Sequence, residues 1–263
     1  MYHCVQGVTE LWEYIAMPSK KQKKLPIIEN FDLLPGRIIA KKYEIISLLG
    51  SGWESEVYLV NEITTDIERT AKFFFPHRNP RDKALKFYAR KLHKLRKCPI
   101  VIQYSTQDTF VYRKQNVSFL VSEFVEGDLL SVYLSRQPGK RLLPFQALHL
   151  LYALARGIEC IHSVGDYHGD LHSDNIIVQR VGLNFELKLL DMFHWGAPSA
   201  ENIRTDVIDL IRIFYDALGG KKHYAKQPQP IKDICCGLKR SLITRKFKTA
   251  GKLRIYLESI QWE

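Results

Sequence analysis

The sequence predicts an α+β protein of two lobes, in which strands dominate the first lobe and helices the second. Residues 37–122 contain short runs in which apolar and polar side chains alternate, as in half-buried strands. A helical pattern interrupts them at residues 82–97, and two more follow at residues 129–135 and 144–163. The 263 residues, 46% of them hydrophobic, are enough for a sizeable core. We therefore expect an N-terminal extension over 1–36, a first lobe over 37–122 and a second lobe over 123–263.

The N-terminal extension is expected to hold a short amphipathic helix followed by a basic linker. The helix is predicted within residues 8–15, and the linker at residues 19–25, where four of the seven residues are Lys. This start lacks the basic residues and apolar run of a signal peptide, and no segment approaches the roughly 20 apolar residues that cross a membrane. We therefore expect a cytoplasmic protein without a transmembrane segment.

The first strands flank a turn that contains Gly50 and Gly52. Glycine lets a backbone approach a phosphate closely and adopt positive φ without a Cβ penalty. Fifteen residues after Val57, Lys72 lies in the run Thr-Ala-Lys-Phe-Phe-Phe, whose aromatic residues favour a strand. A Lys on a strand beneath such a turn is placed to hold nucleotide phosphates. The alternative is an ordinary exposed Lys on a strand.

The helix expected at residues 82–97 has a buried apolar face and a basic face. Residues 78–97 contain nine Lys or Arg and a single acid, and residues 217–263 contribute 11 basic against 3 acidic residues to the net charge of +11. Such surfaces are either simply solvated or attract an acidic partner, a membrane surface or another polyanion such as nucleic acid. The charge pattern alone leaves these alternatives open.

The second lobe carries the most informative motif, His-Gly-Asp-Leu-His-Ser-Asp-Asn at residues 168–175. An Asp followed five positions later by an Asn, here Asp170 and Asn175, is typical of a loop that accepts a hydroxyl proton and holds a metal ion. A short strand predicted at residues 185–190 ends on Asp191, which supplies a second oxygen ligand suited to Mg²⁺. The loop alone is also compatible with a polar exposed turn, and the second acid favours phosphoryl transfer.

These motifs, taken in order between residues 37 and 217, resemble the protein kinase-like superfamily. The resemblance implies a first lobe built on an antiparallel sheet with one helix, and a mainly helical second lobe of reduced size. It implies that ATP and Mg²⁺ bind between the lobes. It also implies that Asp206 begins a buried helix that braces the loop at residues 168–175, which we call the catalytic loop.

The resemblance assigns a role to each candidate residue. Asp170 would act as the catalytic base, Lys72 would orient the phosphates, and Ser122 would be the gatekeeper. The implied nucleotide-binding residues are Gly50, Gly52, Val57, Lys72, Glu123, Val125 and Ile177, and the implied metal ligands are Asn175 and Asp191.

The sequence also departs from the superfamily pattern. Ser55 replaces the third glycine of the turn, and Asp191-Met-Phe replaces Asp-Phe-Gly. Gly169 stands where an Arg pairs with a phosphorylated activation loop, so a switch of that kind is not expected. Only fifteen positions separate Asp191 from Asp206, and they contain no Ala-Pro-Glu motif. A long activation segment that docks peptides is therefore not expected.

The partner of Lys72 is the most serious departure. In the superfamily a Glu on the following helix pairs with this Lys, but residues 69–122 contain no Glu, and Tyr88 aligns with that position. Glu54 or Glu56 beside the glycines could approach Lys72 instead. The alternatives are a Lys held differently, slow catalysis, or a nucleotide-binding pseudokinase that serves as a binding module. The intact base and metal positions favour an active enzyme.

The acceptor is open between two classes. The loop order His-Gly-Asp-Leu-His, with His172 in place of a Lys, resembles aminoglycoside kinases and other small-molecule kinases. The hinge sequence at residues 120–127 and the helix at Asp206 resemble Ser/Thr protein kinases. We expect a protein hydroxyl as acceptor, with a small-molecule hydroxyl as the alternative. The five cysteines are odd in number and lack C-x-x-C spacing, which favours reduced structural thiols.

Overall fold

The computed structural model describes residues 26–182, 184–192 and 196–260. The helix predicted within residues 8–15 and the linker at residues 19–25 lie outside these residues. Within them, the strand-rich and helix-rich halves follow each other along the chain as the sequence predicts.

A six-stranded antiparallel sheet forms the first lobe within the described residues. Its strands follow the spatial order β1-β2-β3-β4-β6-β5, so that only the last two exchange places relative to the chain. The strand bounds are β1 Ile38–Ile39, β2 Tyr43–Ser51, β3 Ser55–Glu62, β4 Ile67–Phe74, β5 Tyr104–Tyr112 and β6 Gln115–Glu123.

Aromatic rings fill the core on one face of this sheet. The ring of Phe73 lies 4.9 Å from that of Phe119 and 5.5 Å from that of Tyr58, measured between centroids. Phe31 joins them: it is fully buried, its ring stacks on Phe75 at 5.2 Å, and its carbonyl accepts a hydrogen bond from the Tyr112 hydroxyl. The segment just before residue 37 therefore packs as part of the first lobe, whereas we expected it to belong to an extension over 1–36.

The second lobe begins with a small sheet and continues with helices. Its strands β7 Asp128–Leu129, β8 Ile176–Val181 and β9 Asn184–Leu189 pair in that order, all antiparallel. The helices found within the described residues are α1 Lys83–Lys94 in the first lobe and, in the second, α2 Leu130–Ser135, α3 Pro144–Ser163, α4 Ala200–Ala217, α5 Lys221–Tyr224, α6 Gln229–Cys235, α7 Arg240–Lys246 and α8 Ala250–Glu258.

Helix α3 is the centre of the second lobe. Its apolar stripe is buried from Ala147 to Ile161, while Phe145 at its first turn is 57% exposed. Gly157 allows the chain at Ile100 to cross α3 closely, because a Cβ at position 157 would lie 2.0 Å from the Ile100 side chain. The Ile100 carbonyl in turn accepts from the Leu189 amide at 2.7 Å, which fixes the end of β9 beside the connection between the lobes.

The remaining sequence expectations concern thiols and membranes. Cys98, Cys160, Cys235 and Cys236 are free, and Cys4 lies outside the described residues. No helix within the described part of the chain has the length and apolar composition to cross a membrane.

Candidate active site

Three of the predicted nucleotide-binding residues lie in one row across the sheet. Gly50 on β2 pairs with Val57 on β3, and Val57 pairs with Lys72 on β4. Directly paired residues on antiparallel strands point to the same face, so the side chains of Val57 and Lys72 share one side of the sheet. An added Cβ at Gly50 would meet nothing within 4 Å, and Gly50 lacks positive φ. Packing within the protein therefore does not require glycine there, which leaves room for a group that approaches this backbone.

Lys72 is the centre of a charge cluster. Its Nζ lies 2.6 Å from Oδ1 of Asp191 and 3.3 Å from Oε1 of Glu54, and its side chain is only 12% exposed. Burial disfavours the ammonium, but the neighbouring negative charges, Asp191 first, raise the pKa of Lys72 above its ordinary value. The ammonium is therefore charged at neutral pH.

Glu56, the other acid considered as a partner of Lys72, has a structural role. It is buried, and its Oε2 accepts hydrogen bonds from the Phe31 amide at 3.1 Å and from the Tyr58 hydroxyl at 2.7 Å. This carboxylate holds the segment before β1 on the sheet, because it satisfies two buried donors.

One backbone group of the predicted hinge is already used within the protein. The Glu123 amide donates to the Gln103 carbonyl at 3.0 Å, while its carboxylate accepts from the Gln103 amide and, at 2.6 Å, from Lys188 Nζ. The amide of Glu123 is thus used inside the protein. Hydrogen bonds between the hinge and an adenine ring would therefore involve the Glu123 carbonyl and the backbone of Val125.

Ser122 and Ile177 lie on strands of different lobes, β6 and β8. Ser122 is 3% exposed and pairs with Thr70 on β4. Gly127 approaches β8 so closely that a Cβ there would lie 2.8 Å from Cγ2 of Ile177, and its φ of 135° also favours glycine. This contact sets Ile177 directly beside the hinge.

Asp170 and Asn175 are connected within the catalytic loop. The Nδ2 of Asn175 donates to the Asp170 carbonyl at 2.8 Å and lies 3.3 Å from Oδ2 of Asp170. The Asn175 carbonyl accepts from the Leu190 amide at 2.9 Å, which brings the loop beside the end of β9 and hence beside Asp191. The side chain of Asp170 is 51% exposed, so its carboxylate is accessible to an acceptor.

A buried acid on α4 holds this loop. Asp206 has no exposed surface, and its two carboxylate oxygens accept from the amides of His168 at 2.8 Å and Gly169 at 2.9 Å. The Nε2 of His162 lies 3.0 Å from the same carboxylate. Gly169 has a φ of 86°, a conformation that costs other residues roughly 1–2 kcal/mol. The geometry thus explains why glycine, and not Arg, stands at position 169.

His168 is a neutral packing residue of this loop. It is fully buried, and burial lowers the pKa of its imidazole to about 4. Its Nδ1 accepts from the Asp170 amide at 3.3 Å. His168 therefore shapes the backbone at Asp170 without carrying charge at pH 7.

The donor atoms present fit a magnesium ion. The Asn175 amide and the Asp191 carboxylate offer hard oxygens, which Mg²⁺ prefers together with phosphate and water oxygens. Burial favours the neutral acid, but the Lys72 ammonium holds the pKa of Asp191 below its ordinary value. The described residues contain no group of three or more His, Cys, Asp or Glu placed to hold a metal. An ion at this position would therefore depend on nucleotide oxygens to complete its coordination.

Asp166 is a further acid at this site that sequence patterns do not reveal. Its carboxylate lies 2.9 Å from Nζ of Lys94 and 3.5 Å from Nζ of Lys91, and the Lys94 ammonium also donates to the Gly165 carbonyl at 2.8 Å. These contacts join α1 to the segment that enters the catalytic loop. In the sequence, only two features indicate this contact: an acid lies just before the catalytic loop, and the basic helix contains almost no acid to pair with its Lys and Arg residues.

A second acid on α4 predicts a measurable effect of pH on stability. Burial raises the pKa of Asp209 to about 6, from an ordinary value of 3.8. The folded state therefore binds more protons than the unfolded state between about pH 4 and 6, and the free energy of unfolding falls as the pH rises through this range. We expect Asp209→Asn to raise that free energy by about 1–2 kcal/mol at pH 7.5 and to change it little at pH 4.

Denaturant unfolding at both pH values measures this effect. The exposed Asp233→Asn on α6 serves as a control and should stay within about 0.5 kcal/mol of the parent protein. Equal stability of Asp209→Asn and the parent protein at pH 7.5 would contradict the burial argument.

Comparisons with known proteins agree with this geometry. Residues 43–200, more than half of the chain, match the family model described as "Protein kinase domain". The chain belongs to this family. The predictions of the kinase-like superfamily, of a kinase domain and of its two-lobed α+β fold are therefore confirmed.

Similar proteins include protein kinases from distant organisms. The serine/threonine-protein kinase PrkC of Bacillus subtilis is 26% identical over 57% of this chain and 22% of its own length. The sporulation protein kinase mde3 of Schizosaccharomyces pombe is 29% identical over 63% of this chain and 31% of its own length. The chain thus spans less than a third of the length of these relatives.

A solved structure shows the same fold. The kinase domain of Mycobacterium tuberculosis PknI, crystallised as a double mutant, superposes with a TM-score of 0.62 over 86% of this chain and 97% of that domain. The sequence identity is 16%, so this likeness concerns the fold alone.

Proposed function

We propose that the chain transfers the γ-phosphoryl group of ATP to the hydroxyl of a Ser or Thr residue in a protein. The observation that carries this proposal is the meeting of Lys72 and Asp191, at 2.6 Å, beside a catalytic loop that Asp206 holds by two backbone amides. In kinases, these groups do not react with phosphate themselves. They position ATP and the acceptor and stabilise charge.

Each residue contributes through its place in the cleft. The glycine-containing turn and Lys72 orient the phosphates, while Val57 and Ile177 offer apolar surfaces to the base. Asn175 and Asp191 would hold Mg²⁺, which neutralises charge on the phosphate oxygens when it is bound. Asp170 accepts the proton of the acceptor hydroxyl as the oxygen attacks the γ-phosphorus, and ADP leaves.

Family membership and the names of the similar kinases favour a protein acceptor. One local feature favours the alternative, a small-molecule hydroxyl. His172 lies beside the base, with its Nε2 3.7 Å from Oδ2 of Asp170 and its Nδ1 3.8 Å from Oδ2 of Asp174. An imidazole at this position differs from the Lys of protein kinases, and its two nitrogens contact the Asp174 amide at 3.2 Å and Nδ2 of Asn175 at 2.9 Å.

A transfer assay distinguishes the candidates. The protein is incubated with γ-labelled ATP and Mg²⁺, first alone, then with a generic protein substrate and with a panel of aminoglycosides and other hydroxylated metabolites. Label on protein Ser or Thr is the expected result. Label on a metabolite supports the small-molecule kinase, and Mg²⁺-dependent ATP binding without turnover supports the pseudokinase. The cytoplasmic location expected from the sequence stays a prediction.

We also propose that an acidic segment of a partner protein binds the outer face of α1. A groove of about 390 Å³, here called the basic groove, lies between α1 and residues 196–198. Asp166 is the acid that lines this groove, and its carboxylate forms ion pairs with Lys91 and Lys94. The other charged residues that line it are Lys83, Lys86 and Arg90, which are exposed and form no ion pair within the described residues.

The basic C-terminal region offers a weaker case for such binding. Arg254 is held by Glu159 and Glu258, and Arg240 forms an ion pair with Glu201. Part of the positive charge in this region is therefore balanced within the fold, and the expected polyanion site is better supported at the basic groove.

Charge reversal tests this docking surface. A labelled Glu-rich peptide should bind roughly tenfold more weakly to the triple variant Lys83→Glu, Lys86→Glu, Arg90→Glu, because each exposed ion pair contributes a few tenths of a kcal/mol to 1 kcal/mol. The matched control reverses Lys221, Lys222 and Lys226 on and beside α5, which changes the net charge equally. Equal weakening by both variants would show non-specific attraction, and tighter binding of duplex DNA or anionic vesicles than of the peptide would overturn the choice of partner.

A further inference from the structure

We infer that Glu54, on the glycine-containing turn, is the positioning residue for Lys72, and that Tyr88 on α1 supports this pair. The inference rests on the proposed phosphoryl transfer, since it concerns the Lys that orients the phosphates. Glu54 lies on the turn, whereas the sequence resemblance places the carboxylate that pairs with this Lys on the helix.

The contacts around the ammonium carry the inference. Oε1 of Glu54 lies 3.3 Å from Nζ of Lys72, and the Glu54 side chain is 23% exposed. Tyr88 lies on α1, where the sequence resemblance implies the Glu of the superfamily, and its ring centroid is 4.0 Å from the same Nζ. An ammonium over an aromatic face is attracted by the negative charge density of the ring. The turn thus supplies the negative charge, and the helix supplies an aromatic surface.

Tyr88 is itself held in place. Its ring lies 5.9 Å from that of Phe74, which follows Lys72 by two residues on the same strand. Burial raises the pKa of its phenol, and a hydrogen bond with the Glu54 carboxylate adds to this rise. The phenol is therefore neutral at pH 7, and it can donate to Glu54.

The backbone of the turn restricts where Glu54 can point. Its carbonyl accepts from the Phe75 amide at 2.9 Å, just beyond the end of β4, and the Gly52 amide donates to the Ser55 carbonyl at 2.9 Å. The neighbouring Trp53 lies under the Arg78 guanidinium, 4.3 Å from the ring centroid. These contacts hold the turn against the segment that follows β4, the strand that carries Lys72.

The same arrangement affects the metal site. Lys72 is shared by two carboxylates, those of Glu54 and Asp191. If Glu54 is removed, the ammonium is left to Asp191 alone. Asp191 is then less able to bind Mg²⁺, because one cation competes with the other for the same oxygens. Loss of Glu54 should therefore raise the Mg²⁺ concentration that transfer requires.

The experiment compares Glu54→Gln with the matched control Glu68→Gln, an exposed position on β4. We measure MgATP affinity by calorimetry, the kcat/KM of transfer for ATP, and the Mg²⁺ concentration that gives half-maximal rate. For Glu54→Gln we expect roughly tenfold lower kcat/KM, threefold weaker ATP binding and a severalfold higher Mg²⁺ requirement, the size of effect that a single positioning group gives. Glu68→Gln should match the parent protein in all three.

A second variant separates positioning from structure. Adding Tyr88→Glu to Glu54→Gln returns a carboxylate to Lys72 from α1 and should recover most of the lost kcat/KM. Unchanged kinetics, Mg²⁺ requirement and ATP affinity in folded Glu54→Gln would overturn the inference. If the parent protein binds MgATP but transfers nothing, the proposed function fails. The role of Glu54 is then tested by ATP affinity alone. It is supported only if Glu54→Gln weakens ATP binding and the added Tyr88→Glu restores it.

Discussion

Asp170→Asn is expected to lower the kcat of phosphoryl transfer by about 10²–10⁴-fold, the usual contribution of a positioned general base. The substituted amide cannot accept the proton of the acceptor hydroxyl at neutral pH. The main hydrogen bond of Asn175 is to the backbone carbonyl of residue 170, which the substitution leaves in place. The loop should therefore keep its shape, and MgATP affinity should stay within about threefold of the parent protein.

The neighbouring Asp174→Asn is the matched control, because it removes the same charge from the same loop. Asp174 accepts a hydrogen bond from Ser131 on α2, and its side chain is 63% exposed. Single-turnover kinetics with labelled ATP separate the chemical step from binding and product release. Turnover by Asp170→Asn within about threefold of the parent protein would show that Asp170 is not the base.

The predicted positions of the nucleotide site follow from regular strand geometry. Gly50, Val57 and Lys72 form one row because each lies on a different strand of the antiparallel sheet, although Gly50 directly follows an irregularity in the pairing of β2 with β3. Alternation of side chains along a strand then decides which face each one meets. A sequence pattern is sufficient for such positions, since spacing and alternation determine them together.

Strand spacing and alternation do not predict which acid pairs with Lys72. Glu54 and Glu56 are two residues apart, yet the first meets Lys72 and the second is buried against Tyr58. At the turn, side-chain direction depends on local backbone bonds such as that from the Phe75 amide to the Glu54 carbonyl. A sequence pattern does not specify this backbone hydrogen bond, so it cannot distinguish Glu54 from Glu56 as the partner of Lys72.

Contacts between residues far apart in the chain were not predicted from the sequence, for a different reason. Phe31 lies between Asn30 and Asp32 in a segment without regular secondary structure, although it is fully buried against Phe75. Lys91 belongs to a run of basic residues that suggested a solvated or docking face, but it is buried beside Asp166. Periodicity reports which face of an element is apolar, and it does not report which distant residue covers that face.

Asp206→Ala is expected to lower the free energy of unfolding by about 2–4 kcal/mol, the largest loss of stability that we predict for this site. The substitution removes the carboxylate that accepts from the amides of His168 and Gly169 and contacts the His162 imidazole. Each buried donor that loses its partner costs about 1–3 kcal/mol, and the chain relaxes to recover part of this. Denaturant unfolding at pH 7.5 measures the total.

The effect should be local as well as global. Because both amides belong to the catalytic loop, hydrogen exchange at His168 and Gly169 should accelerate more than exchange in α3, and kcat should fall even where the variant remains folded. Asp209→Asn on the same helix is the matched comparison, since it removes an acid one turn away and is expected to stabilise the fold at this pH. If Asp206→Ala were as stable as the parent protein, or if exchange rose equally in α3 and the loop, then Asp206 would not be what holds the base in place. The opposite signs expected for two acids three residues apart follow from one difference: Asp206 satisfies buried donors, whereas burial of Asp209 opposes its charge.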